Sequence, residues 1–278
     1  MNEDLFFGLF DDAGMFPPAS LPAGRAVFEH ARHSLSWYDG FVGPLVCHDS
    51  RLGAVDEHAA RLGLPVIDVT VVVPEGLEAV AKALDALDRC PHLKIAALDA
   101  PLGKHPLRKA VAVCERVADL GVEMYLEIPI THLDDRSVHA LCAANLAVKL
   151  RTGGTTTGAF HTEDELARAI VLCAAERLPF KCTAGLHNAV RHRDRETKFE
   201  HHGFLNIALA ALAAAGTGSV AVVREILAER DPMIVAARTR ELSCRDVAAI
   251  RSLFASFGTC SVTEPVDDLI SMGLVTAA

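Results

Sequence analysis

Residues 123–151 read EMYLEIPITHLDDRSVHALCAANLAVKLR. The first eight, EMYLEIPI, form an apolar run rich in strand-favouring residues. DDRSVHALCAA follows with the spacing of a helix. LAVKLR is again an apolar run of strand length. A strand, a helix and a second strand in so short a span predict a βαβ unit, whose two strands pair in parallel.

The same alternation extends outward on both sides. Upstream, strands are predicted at 41–47, 66–73 (VIDVTVVV) and 93–98, with helices at 53–62, 77–87 and 107–120. Downstream come a helix at 163–177 and a strand at 180–183. Near-continuous apolar strands fit a parallel sheet covered on both faces. Two weaker runs, 5–10 and 257–262, bring the strand count to eight. With them the α/β pattern predicts a single (β/α)8 TIM barrel across 1–278; without them it is an open six-stranded sheet. The segment at about 188–256 exceeds one crossover. It carries the charged stretch RHRDRE (191–196) and helical patterns at 204–214, 220–229 and 245–254. It reads as a helical insertion near the C-terminus, either a lid or an oligomer contact.

The 278 residues are 51% hydrophobic and 23% charged, with a net charge of −9. That composition supplies a large core. Its acidity argues against nucleic acid as a partner, because phosphate-backbone binders carry basic surfaces. No apolar stretch has transmembrane length, so no membrane partner is expected. The eight cysteines, at 47, 90, 114, 142, 173, 182, 244 and 260, include no C-x-x-C pair. Several fall in apolar runs, where a thiol acts as a small hydrophobe. The acidic opening Met1-Asn2-Glu3-Asp4 does not read as a signal peptide. The expectation is a cytoplasmic protein with free thiols, able to form a homo-oligomer, whose partner is a small-molecule substrate.

Polar residues at strand ends carry the functional reading, since the C-terminal rim of such a barrel holds the active site. With a side-chain period of two, Lys149 and Arg151 share a face, as do Lys181 and Thr183, Tyr125 and Glu127, and Asp68 and Thr70. Asp99 ends its own strand. If these faces point inward, Asp99, Glu127, Lys149, Arg151 and Lys181 converge. A buried lysine beside a second cation loses its proton more readily and can attack a carbonyl to form a Schiff base. A carboxylate such as Asp99 can move protons in the carbinolamine steps. The plainer readings stand beside this: solvated or salt-bridged lysines, Glu127 as a partner of Arg151, Asp99 as a turn former.

Two turns look able to cradle an anion with backbone N–H groups and hydroxyls. One is Thr152-Gly153-Gly154-Thr155-Thr156-Thr157. The other is Gly258-Thr259-Cys260-Ser261. With Arg151 they suggest a phosphate or carboxylate handle on the substrate.

At these residues the chain resembles deoxyribose-phosphate aldolase, a class I aldolase built on a (β/α)8 barrel. The resemblance lies in YLEIP (125–129), KLRTGG (149–154), KCTAGLH (181–187) and GTCS (258–261), and less closely in VCHDSRL (46–52) and VTVVVPEG (69–76). As a set, DDAGMFPPA, KLRTGG, KCTAGLH and FGTCSVTEPVDDL also resemble a bacterial family. The likeness to the aldolase implies a lyase in which Lys149 forms the Schiff base and Lys181 lowers its proton affinity. Asp99 would lie near the proton-relay aspartate, with Glu127 on the neighbouring strand. Thr183, Gly185 and His187 would contact substrate along with Arg151, Thr152, Gly153, Gly154, Gly258, Thr259 and Ser261. Lysine does this chemistry unaided, so no cofactor or metal is expected. The chain departs from the family in three places: Arg151 replaces a small hydroxyl residue, AGLH (184–187) replaces a double glycine followed by Ile-Arg, and the segment after His187 is foreign.

Three other functions compete. A metal-dependent hydrolase would draw ligands from His187, His192, Asp194, Glu200, His201 and His202. A phosphosugar isomerase would use Glu127 as base and Lys149 as a non-covalent electrophile. A non-catalytic barrel would bind a metabolite.

Overall fold

The computed structural model describes residues 3–118, 121–154 and 156–277. Seven strands come first: β1 Phe10–Asp12, β2 Val42–His48, β3 Ile67–Val72, β4 Leu93–Pro101, β5 Glu123–Glu127, β6 Ala147–Arg151 and β7 Phe180–Thr183. The eighth, Phe254–Thr259, pairs with both β1 and β7, so the parallel sheet closes on itself. The fold is the (β/α)8 barrel.

Helices α1 Ala23–His33, α2 Leu52–Leu62, α3 Val80–Leu87, α4 Leu107–Ala118, α5 Asp135–Ala143 and α6 Glu163–Ala175 follow the first six strands. The predicted end of α4 at Leu120 lies outside the described residues. Capping boxes at Asp134/Ser137 and Thr162/Glu165 start α5 and α6 where strand character ends. Strand residues alternate as a closed barrel requires. Val69, Val71, Leu98, Leu126, Val148, Leu150 and Cys182 face outward and are sealed under helices. On the inner face a separate cluster of Ala97, Tyr125 and Ala147 fills the lower barrel.

The two outer strands differ from expectation. The run 5–10 forms a 3-10 turn at Glu3–Leu5, and β1 starts only at Phe10. Leu5, Phe6 and Leu9 are buried by packing, with Phe6 edge-on to Phe41 at 5.7 Å. The apolar signal was core contact, not strand pairing. The last strand runs three residues earlier than 257–262, so Ser261 lies beyond it and Val262 caps the next helix. Asp68, grouped above with Thr70, sits at the outer end of β3 near Lys94, whereas Thr70 is fully buried.

Between β7 and the last strand lie α7 Phe204–Thr217, α8 Val220–Ala228, α9 Pro232–Arg240 and α10 Cys244–Leu253; α11 Thr263–Ser271 follows. Helices α1, α9 and α11 were not predicted; α9 has no one-sided apolar stripe, whereas α1 and α11 each bury one apolar face. The long segment is not an appendage. Nearly all of α7 is apolar, and it is buried along most of its length. Phe204 stacks on Phe257 at 5.0 Å and meets Phe10 at 5.6 Å, all three rings fully buried. This helix therefore closes the first and last strands against each other. Among the described residues no helix is long and apolar enough to cross a membrane.

If α7 carries part of the barrel core, Phe204→Ala should cost about 3–5 kcal/mol of unfolding free energy. Urea denaturation followed by circular dichroism measures this. A loss below about 1 kcal/mol would mean that the segment packs as an independent addition.

Candidate active site

Strand register settles which side chains point inward. Lys149 on β6 and Lys181 on β7 are Cα partners, as are Glu127 and Lys149 on β5 and β6. Asp99 on β4 lies three strands from β7, yet its Oδ1 is 2.6 Å from Lys181 Nζ. Only a path through the barrel interior allows that contact. Asp99 Oδ2 is 3.0 Å from Lys149 Nζ. One buried carboxylate thus sits between two lysines whose side chains are 7% and 4% exposed. The contact with Lys181 is the shorter of the two ion pairs.

The cluster continues on both sides. Glu127 places Oε2 3.4 Å from Lys149 and Oε1 2.9 Å from Arg151. The predicted convergence of Asp99, Glu127, Lys149, Arg151 and Lys181 therefore forms, with Arg151 at the half-exposed rim. Lys181 Nζ also lies 4.5 Å over the Tyr125 ring and 3.6 Å from Asp11 Oδ2. Ser256 donates to that same Asp11 oxygen at 3.0 Å. Asp11 was missed because the first strand was predicted to stop at Phe10, before the polar residues that end it. His48, the last residue of β2, escaped for the same reason: the predicted strand ended at Cys47.

Burial and charge compete at each group. Burial opposes the ammonium of Lys181, but Asp99 and Asp11 outweigh it and hold the proton above the ordinary lysine value. Burial favours the neutral acid at Asp99, yet Lys149 and Lys181 keep its carboxyl below the usual range. Asp11 goes the other way. Burial, helped by the negative charge of Asp99, lifts it to about 6 despite Lys181 and Ser256. Burial also raises the Tyr125 phenol, which donates to Glu123 at 2.8 Å.

The glycine turns meet backbone to backbone. A Cβ on Gly153 would fall 2.9 Å from Gly185 Cα, and Gly185 has φ +75°. Glycine is needed at this approach for its missing side chain. Thr152 donates its N–H to Thr183 O at 2.9 Å and its hydroxyl to Ala184 O at 2.8 Å. Gly154 lies against Ala159, and Gly258 is the Cα partner of Thr183. Thr155 lies outside the described residues. Just beyond Gly185, His187 Nδ1 meets Glu264 at 2.9 Å, with Thr259 Oγ1 at 3.5 Å. The Thr259 hydroxyl donates to Ser261 O and accepts from Ser261 N. His187 and the last turn thus form a second polar group, separate in its bonding from the lysines.

The fold disperses the histidines that a metal site would need. His192 and His201 stack at 5.2 Å. His202 lies buried between Arg191 and His161 O; burial and the Arg191 charge press its pKa down to about 4. Among the described residues no group of three or more His, Cys, Asp or Glu is arranged to hold a metal ion.

The raised Asp11 has a consequence for stability. Its native value, about 6, exceeds the ordinary 3.8, so the folded state binds this proton more tightly. The stabilisation is fully present below pH 3.8 and is lost as pH rises through about 6. At ~1.4 kcal/mol per unit it amounts to about 3 kcal/mol at most. Urea midpoints of wild type and Asp11→Asn, compared across this window, should diverge in that direction; a constant difference would refute the assignment.

No family model matches the chain, and no curated protein matches it. Solved structures do. One is deoxyribose phosphate aldolase from Aeropyrum pernix, described as tetrameric, at 15% identity and a TM-score of 0.52, covering 98% of this chain and 93% of that one. Another is an aldolase designated QR15, at 12% identity and a TM-score of 0.53, covering 97% of both chains. The chain shares the barrel fold of these aldolases along nearly its whole length.

Proposed function

We propose that the protein is a class I aldolase-type lyase that forms an imine between Lys149 and a small aldehyde or keto compound. The observation that carries this reading is the pair of buried amines on adjacent strands sharing Asp99. Lys181 is the better fixed cation, because Asp99, Asp11 and the Tyr125 ring enclose it. Lys149 stands nearer the rim, linked through Glu127 to Arg151. It is the residue assigned to the nucleophile.

In the proposed reaction the neutral Lys149 amine adds to the carbonyl carbon. The carbonyl oxygen takes one proton from the attacking nitrogen and one from solvent, with Asp99, 3.0 Å from that nitrogen, as the proposed relay; it leaves as water, and the nitrogen becomes an iminium. This iminium withdraws electrons from the neighbouring carbon, which is what makes carbon–carbon bond cleavage or formation accessible. The positive charge of Lys181 favours loss of the Lys149 proton, and Asp99 holds the two nitrogens at a set separation. Arg151 and the turns at Thr152, Gly153, Gly154, Thr183, Gly185, His187, Gly258, Thr259 and Ser261 are the proposed substrate contacts. A cytoplasmic homo-oligomer with no cofactor completes the reading; the tetrameric Aeropyrum enzyme favours the oligomer, and the eight free cysteines fit a reducing compartment.

Borohydride reduction in the presence of acetaldehyde, acetone, hydroxyacetone or pyruvate should add the matching mass to the Lys149 peptide. Lys149→Ala should abolish the adduct. Lys181→Met should slow trapping on the order of 10²-fold near neutrality and move its optimum to higher pH, since the neighbouring cation is gone. No adduct across the panel would overturn the aldolase reading and leave Glu127-based isomerisation or metabolite binding ahead.

A further inference from the structure

We propose that His48 is the catalytic residue that carries the α-proton of the Lys149 imine. This inference rests on the imine reading and adds to it a group that the Lys149–Asp99–Lys181 cluster does not supply. His48 is a Cα partner of Val72, and Val72 of Asp99. In a parallel sheet such partners project to the same side, so the His48 imidazole faces the barrel interior with Asp99 and the lysines. It ends β2 at the C-terminal mouth, with its ring 4.6 Å from the ring of Phe16, which lies in the loop after β1.

The protein leaves this imidazole uncommitted. Its Nδ1 is sealed from solvent and has no hydrogen-bond partner. Nor does Nε2 bond to any described residue. A cationic ring would need an acceptor at each N–H, so the sealed Nδ1 favours the neutral form. The groups acting on the ring give the same direction. Burial lowers its proton affinity most; of the charged neighbours Asp49 raises it, Lys149 on β6 and Arg51 lower it, and the net shift is downward. His48 is thus a neutral base within electrostatic reach of Lys149.

The other candidates are less suited. Asp99 stays ionised beside the Lys181 ammonium and is a weak base for a C–H proton. Lys181 keeps its proton. Asp11 sits behind Lys181 and is bonded to Ser256. In the proposed step the α C–H bond breaks, its proton moves to the His48 imidazole, and its electron pair forms the enamine C=C while the iminium nitrogen becomes neutral. When the enamine carbon attacks an acceptor aldehyde, the new alkoxide oxygen takes that proton back from the imidazolium. The group returns to its starting form with no outside reagent.

The test follows exchange of acetone methyl protons in D2O by proton NMR, alongside borohydride trapping, in the full chain. Wild type should exchange with an acidic limb below the ordinary imidazole value. His48→Gln should still give the Lys149 adduct, which shows an intact site, while exchange falls on the order of 10²-fold and loses that limb. His48→Ala should recover part of the rate with added imidazole. An adduct with exchange unchanged in both variants would overturn the His48 role and leave the aldolase reading standing. No adduct in wild type would overturn both.

Discussion

Two ammonium groups cannot be buried side by side without carboxylates between them, and the barrel interior is arranged around that constraint. An isolated buried charge costs several kcal/mol, and removing one member of a buried ion pair typically costs about 3–5 kcal/mol. Asp99 answers to both lysines at once. Around it stand three cations, Lys149, Lys181 and Arg151, and three carboxylates, Asp99, Glu127 and Asp11. The cluster is neutral only while Asp11 is ionised. Because burial lifts Asp11 to about 6, mild acid leaves an excess positive charge beside Lys181.

The barrel positions these groups through backbone contacts that admit little variation. Gly153 and Gly185 let the turns after β6 and β7 approach closely, and Thr152 bonds across the gap. The two lysine-bearing strands are thus tied at their ends as well as along their ladder. Beyond β7, Arg191 is buried and pairs with Glu163 at the start of α6, so the turn into α7 is anchored to a neighbouring unit. The Phe10, Phe204 and Phe257 rings then hold the seam between the first and last strands. Helix α7, between β7 and the last strand, thus supports the closing edge of the barrel.

Much of this was legible in residues 123–183, where strands are apolar, helices are well separated and side chains alternate with period two. The convergence of Glu127, Lys149, Arg151 and Lys181 follows from that alternation alone. Asp99 was expected to join them from its place at a strand end, but its direct contact with Lys181 three strands away depends on closure and strand stagger, neither of which has a local signal. The ends of the sheet were obscured for another reason. Leu5, Phe6 and Leu9 are apolar because they pack under the barrel, so the first strand was placed too early and Asp11 fell outside it. His48 lay one residue past a strand predicted to end in apolar Cys47. In both places a polar residue ended the strand, and polarity at that end is where a barrel keeps its chemistry.

Arg151 shapes the mouth by engaging Glu127. Its guanidinium takes Glu127 Oε1, while Oε2 of the same carboxylate faces Lys149. The two cations therefore share one anion, and each weakens the other's hold on it. Lys149 at 3.4 Å is the looser partner, as expected where a guanidinium binds through both Nε and a terminal nitrogen. By occupying Glu127, Arg151 leaves Lys149 chiefly dependent on Asp99, which Lys181 also draws. Asp99 is therefore the carboxylate on which both amines converge.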